Sequence, residues 1–168
     1  MRIQTTGTVD GANTGQAINL NQDSLRCDYR SPGTNAYYGC VFHKVVPTHQ
    51  VSKALRPQYA QHIADAQATN WPEGKPGDVP LTRLTDPSDI AENRTESCRD
   101  EPNPRPLGLE CDEYPFASTY DGTYTSGKDA SHRLIDATQN RDGGTALQVW
   151  YGEQRILDSD EFWVQVTA

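Results

Sequence analysis

Four cysteines, Cys27, Cys40, Cys98 and Cys111, fall into two local pairs, each spanning 13 positions. None of the CxxC spacings of structural zinc sites is present, so two disulfides are expected rather than a metal cluster. The sequence leaves three connectivities open. The local pairing, Cys27 with Cys40 and Cys98 with Cys111, is the one expected here. It divides the chain into an early clipped hairpin and a later clip that ends at residue 111.

Disulfides persist in oxidising compartments, so the chain reads as the mature or C-terminal part of an exported protein. The first residues, Met1-Arg2-Ile3-Gln4-Thr5-Thr6-Gly7, carry no signal-peptide apolar region. A targeting segment removed beforehand is therefore expected, with Met1 a remnant of processing. No apolar run approaches the ~20 residues of a membrane helix. At 168 residues one domain, 1–168, is expected, able to bury roughly two thirds of its unfolded surface. Only 35% of the residues are hydrophobic, but 3 Trp, 8 Tyr and 3 Phe provide large side chains for a core.

Residues 1–20, rich in Thr, Gly, Asn and Gln, read as an extended or mobile arm. Segments 25–29 and 37–46 flank a turn-rich stretch, which predicts a hairpin. Pro57 suits the first position of a helix running to about Ala68, with Tyr59, Ala60, Ile63, Ala66 and Gln67 on its apolar stripe. Residues 70–89 read as an irregular loop, interrupted by Leu81-Thr82-Arg83-Leu84, and a Pro-rich loop at 101–106 leads into a short strand at 107–111. A flexible Gly/Ser/Thr/Tyr stretch at 118–127 and a strand at 132–138 follow. A helix is then expected to start at Asn140-Arg141-Asp142, with Ala146, Leu147, Trp150 and Tyr151 as its stripe. Phe162, Val164 and Val166 alternate with Trp163 and Gln165 in a half-buried closing strand. The fold class is α+β: a small antiparallel sheet with packed helices, stabilised by disulfides, with a strand, strand, helix unit over 107–151.

The most unusual segment is Cys111-Asp112-Glu113-Tyr114-Pro115-Phe116-Ala117-Ser118-Thr119. It resembles the hallmark of the NucA/NucB deoxyribonucleases. Arg155-Ile156-Leu157-Asp158-Ser159-Asp160-Glu161-Phe162 looks like the closing segment of actinobacterial, hence bacterial, members. Weaker likeness extends to Leu81-Thr82-Arg83-Leu84 and to Asn93-Arg94-Thr95-Glu96-Ser97-Cys98, and residues 1–55 resemble no family. The resemblance implies a ββα-metal nuclease core in which Asp112 takes the place of the histidine base of HNH-type relatives. It also implies a polar ligand for one divalent ion at the start of the following helix, where members often carry an acid-Asn pair. Here the pair is Gln139-Asn140. A neutral amide is a weaker oxygen ligand than a carboxylate, so either Asn140 or Asp142 carries the metal or affinity is reduced, with Gln139 matching the usual acid.

Phosphodiester hydrolysis needs a base for water, neutralisation of the phosphate oxygens and stabilisation of the leaving oxygen. The expected roles are Asp112 as general base, Mg²⁺ or Mn²⁺ as Lewis acid, and Arg105 and Arg141 as phosphate clamps, with Arg133 less favoured. Adjacent strand residues point to opposite faces, so Glu113 is expected behind Asp112 or as an alternative ligand unless the strand ends or bulges there. Asp112 has a structural alternative as an Asx turn before Pro115, and Asn140 one as a helix N-cap. His132 reads as a surface histidine, and His43, His49 and His62 show no HExxH spacing, which excludes a zincin-type protease. GxSxG and Walker motifs are absent as well.

The net charge of −8 argues against tight, sustained, non-specific DNA binding, which normally needs a basic face. An enzyme that releases its substrate tolerates this balance if arginines cluster locally. The reading is a secreted, monomeric endonuclease acting on DNA, with RNA left open and no membrane contact. Its alternatives are a non-catalytic secreted binding module, or a toxin domain of a larger protein held in check by a cognate inhibitor protein.

Overall fold

A computed structural model describes residues 25–30, 37–69 and 73–168. The arm expected at 1–20, the turn at 31–36 and the start of the loop at 70–72 lie outside the described residues. The chain is α+β. Strands β1 (Arg26–Arg30) and β2 (Tyr37–Val41) form an antiparallel hairpin. Cys27 lies opposite Cys40 in its register, and the two are disulfide-bonded. Strand β3 (Thr48–Ser52) follows, then helix α1 (Pro57–Ala68), the short strand β4 (Leu81–Thr82) and helix α2 (Pro87–Ser97). The rest is β5 (Leu109–Tyr114), α3 (Thr123–Ser126), β6 (Ser131–Asp136), α4 (Ala137–Glu153) and β7 (Glu161–Thr167).

Instead of one antiparallel sheet there are three small ones among the described residues. β7 is central to a mixed sheet, parallel to β3 and antiparallel to β4. β5 and β6 pair antiparallel, with Asp112 opposite Arg133. Helix α4 follows β6 directly and packs on both strands. The core lies between these sheets and helices α1 and α4, and includes Val51, Tyr59, Ile63, Leu81, Tyr114, Leu147, Tyr151, Phe162 and Val164. Phe162 and Val164 are fully buried on alternate positions of β7, as expected for a closing strand.

Helix α1 has the predicted bounds because Pro57 starts it and an apolar stripe docks it. Helix α4 starts three residues earlier than expected. Asp136 caps it by accepting from the Gln139 N–H, so Asn140 is not the N-cap. Helix α2 begins within the stretch whose sequence predicts a loop to residue 89. It is begun by the Asp86 carboxylate, which accepts from Ser88 and Asp89 N–H, and by Pro87 at the first helical position.

The stretch at 118–127 is pinned rather than free. Asn93 on α2, fully buried, donates to the carbonyls of Ala117 (2.8 Å) and Thr119 (3.2 Å) and accepts from the Thr125 N–H (3.0 Å). Gly122 is required beside it: a Cβ there would stand 2.5 Å from the Asn93 amide.

Candidate active site

Strand β5 carries the unusual motif and continues through it to Tyr114, beyond the end at 111 that the sequence suggested. The Tyr114 side chain anchors its far end. The Tyr114 hydroxyl donates to the Glu73 carbonyl at 2.6 Å and accepts from Gln67 Nε2 at 2.7 Å. The near end is fastened by the Cys98–Cys111 disulfide to the C-terminus of α2. After the cis peptide Tyr114–Pro115, the motif returns past buried Phe116, Ala117 and Ser118. Ser118 shares a hydrogen bond with the Tyr151 hydroxyl, and its carbonyl accepts from the guanidinium of Arg83. Arg83 also lies over the Tyr151 ring, 4.0 Å from its centroid. This packing explains why Leu81-Thr82-Arg83-Leu84 accompanies the motif. Arg155 likewise holds the N-terminal hairpin through Asp28, at 3.0 Å from Nε to Oδ1.

Beside β5 opens a cleft of about 710 Å³ lined by Asp112, Glu113, Glu110, Arg94, Arg105, Asn140 and Arg141, with Tyr59 and Phe116 among the apolar residues of its wall. Asp112 lies within a regular strand, not in an Asx turn. It is buried, and burial raises its pKa above the ordinary carboxylate range against the opposing hydrogen bond from His62. The His62 Nδ1 to Asp112 Oδ2 distance is 2.6 Å, and His62 Nε2 stands 3.0 Å from the Ser131 hydroxyl.

Asp112 and Glu113 do point to opposite faces, one toward α1 and the other toward Arg94 of α2, 4.0 Å away. Both nevertheless line the cleft, contrary to the expectation that they would not share one site. No bulge is involved. Among the described residues β5 pairs only with β6, and a cleft running along its unpaired edge receives side chains from both faces. Burial, followed by the charge of Asp112, pushes the Glu113 carboxyl up to about 7.

The remaining candidates divide between cleft and scaffold. Arg105 and Arg141 line the cleft, as does Arg94, which the sequence reading did not single out. Arg141 and Asn140 both meet Glu110: Arg141 Nε donates at 2.7 Å and Asn140 Nδ2 at 3.2 Å. Asn140 also approaches the Cys111 carbonyl at 3.4 Å, which places it beside Asp112. Gln139 is turned to α1, where its Oε1 accepts from the Gln58 N–H at 2.8 Å, and Asp142 is exposed on α4; neither lines the cleft. Arg133 pairs with Asp65 at 2.8 Å, and His132 lies on the surface near Glu101.

His62 shows no HExxH or paired spacing, and the motif alone does not single it out. Its signal was its place one residue from Ile63 on the buried side of α1, where a polar ring needs a partner.

Among the described residues no three His, Cys, Asp or Glu side chains converge as a ready metal cage. The cleft does offer hard oxygen donors, from Asn140, Glu110 and Asp112, and these suit a cation that keeps much of its water. No helix among the described residues is long and apolar enough to cross a membrane.

A comparison with curated proteins gave no match. The family model described as Deoxyribonuclease NucA/NucB matches residues 73–165, more than half of the chain, spanning α2, the β5 motif, α4 and most of β7. The conjunction of that match with the cleft around the Asp112 motif settles the family: the chain belongs to the NucA/NucB deoxyribonucleases.

Proposed function

We propose that the chain is a secreted endonuclease that hydrolyses phosphodiester bonds of DNA with the help of Mg²⁺ or Mn²⁺, and that Asp112 is its general base. The observation that carries this reading is the placement of a buried carboxylate, Asp112, in a cleft that also holds three arginines, in a chain of this family. The two disulfides favour export, since such bonds persist outside reducing compartments.

In this reading Arg94, Arg105 and Arg141 bind the non-bridging oxygens of the scissile phosphate. Asp112 takes a proton from the attacking water, whose oxygen bonds to phosphorus while the bond to the leaving sugar oxygen breaks. A raised pKa makes Asp112 a better proton acceptor than an ordinary carboxylate, provided it is ionised. Glu113, titrating at about 7, is part protonated near neutrality and supplies the proton that the leaving oxygen needs. A bound divalent ion would add charge neutralisation on the phosphate, held by Asn140 with few other protein ligands and completed by water and substrate.

The test is cleavage of supercoiled plasmid by the purified chain with Mg²⁺ or Mn²⁺, with EDTA, and with Asp112→Ala in parallel, alongside an RNA of similar length. Metal-dependent nicking that Asp112→Ala abolishes is expected. A second reading, a binding module without catalysis, draws on the engagement of Gln139 with Gln58 in place of an acid directed at the cleft. A folded wild type that is inert with each divalent ion would establish it.

A further inference from the structure

Asp112 and His62 come from different elements, β5 and α1, yet form a close polar contact, 2.6 Å from Nδ1 to Oδ2. In such a pair either member can face the substrate. Burial decides between them here. His62 has no accessible surface and both ring nitrogens are occupied, by Asp112 and by Ser131 of β6, whereas Asp112 lines the cleft. His62 therefore cannot touch a substrate, and whatever it does for the reaction it does through the aspartate.

We propose that His62 is the positioning residue of Asp112: its Nδ1–H donates to Oδ2 and leaves the other carboxylate oxygen to accept the proton of the attacking water. Ser131 selects the tautomer. With the proton on Nδ1, Nε2 is an acceptor, and the Ser131 hydroxyl is placed to donate to it. The ring is held in turn by α1, whose neighbours Ala60, Ile63 and Ala66 are buried in the core, so the whole helix acts as the mount for one carboxylate. The remaining groups that act on Asp112 are Arg133 across the ladder, Glu113 next in the strand and the Tyr59 hydroxyl on α1. Among the described residues, none of these makes a side-chain hydrogen bond to its carboxylate comparable to that of His62. Orienting the base matters because a carboxylate that rotates presents its lone pairs away from the water, and proton transfer needs hydrogen-bond geometry.

The inference rests on the nuclease reading. A wild type inactive with every divalent ion sinks that reading itself; the experiments below address His62 separately, in a wild type that cleaves. His62→Asn places an amide N–H near the position of Nδ1, and His62→Gln near that of Nε2. The Asn variant is expected to keep kcat within about tenfold of wild type and the Gln variant to lose about a hundredfold, with KM for DNA unchanged in both. Equal kcat in the two, or a fall in KM-linked binding alone, overturns the proposal and leaves His62 a packing residue. A measurement on the unaltered protein guards against variants that fail to fold: ¹⁵N-correlated NMR of the imidazole reports the tautomer directly. A proton on Nδ1 that is coupled to Asp112 supports the assignment, and an unprotonated Nδ1 refutes it.

Discussion

Gly143 of α4 lies flat against the ring of Tyr59 on α1, so close that a Cβ on Gly143 would stand 2.7 Å from the ring carbon Cζ. Tyr59 is buried and lines the wall of the cleft below Asp112, so this contact sets how near α4 comes to the motif. Gly143→Ala is expected to force the two helices apart or tilt the ring, at a cost of about 1–3 kcal/mol, which exceeds the gain in helix propensity. Thermal unfolding would show a Tm lowered by several degrees; an unchanged or raised Tm would contradict the packing.

Glu113 gives a pH signature. Its carboxyl titrates at about 7 in the folded chain against 4.5 unfolded. The folded state therefore binds the proton more tightly, and the stability this provides is complete below pH 4.5 and lost as pH rises through about 7. With a side chain only 15% exposed, the cost at pH 8 reaches at most about 3 kcal/mol. Glu113→Gln should be more stable than wild type at pH 8 and nearly equal to it at pH 4. Denaturant titrations at the two pH values check this, and a gap independent of pH would rule it out.

Asn93 satisfies two backbone carbonyls and one N–H of the 117–125 segment from within α2. Asn93→Ala leaves them buried without partners, for an expected loss of about 2–4 kcal/mol. Cleavage by the fraction that remains folded should be weakened as well, since Ala117 lines the cleft. Urea midpoints compared with activity at low temperature separate the two effects.

Replacing both Cys98 and Cys111 by serine should cost about 3 kcal/mol, as expected for a loop of this length. Because Cys111 adjoins Asp112, activity should fall at temperatures where the protein is still folded. The matching change at Cys27 and Cys40, which do not line the cleft, should leave kcat unaltered below Tm. Similar kcat losses in both double variants would dissociate the second disulfide from the site.

Gln139 occupies the position where family members often carry an acid, but here it is spent on the Gln58 N–H. Gln139→Ala should lower stability by about 1 kcal/mol or less and leave the concentration of Mn²⁺ needed for half-maximal cleavage unmoved. A raised Mn²⁺ requirement would return Gln139 to the metal site.

The elements that could be read from the sequence were those whose local signals agree. Pro57 and the stripe through Ile63 gave α1 its bounds, and strict alternation at Phe162 and Val164 marked β7. The start of α4 was obscured because Gly143 and Gly144 weaken helix propensity within its interior, while Asp136 looked like the end of a strand rather than a cap. Helix α2 is mostly polar, with only Asn93 and Ser97 buried, so periodicity had almost nothing to register. For the site, Asp112, Asn140, Arg105 and Arg141 could be named from the motif and its surroundings. His62 could not, since its partner lies 50 residues away and pairing at that range depends on how helix and strand dock.

Among the described residues one edge of β5 is unpaired. A strand edge with free N–H and C=O groups is a template on which a second chain can add, the usual route to intermolecular pairing. Here the approach is crowded by Glu110, Arg141, Arg94 and Glu113, while the Asn140 amide reaches the Cys111 carbonyl and α2 is tethered alongside. An incoming strand would have to strip charge from its path. The charged residues that line the cleft would thus also hinder strand addition at this edge, and neutralising them to adjust activity would carry a risk of aggregation.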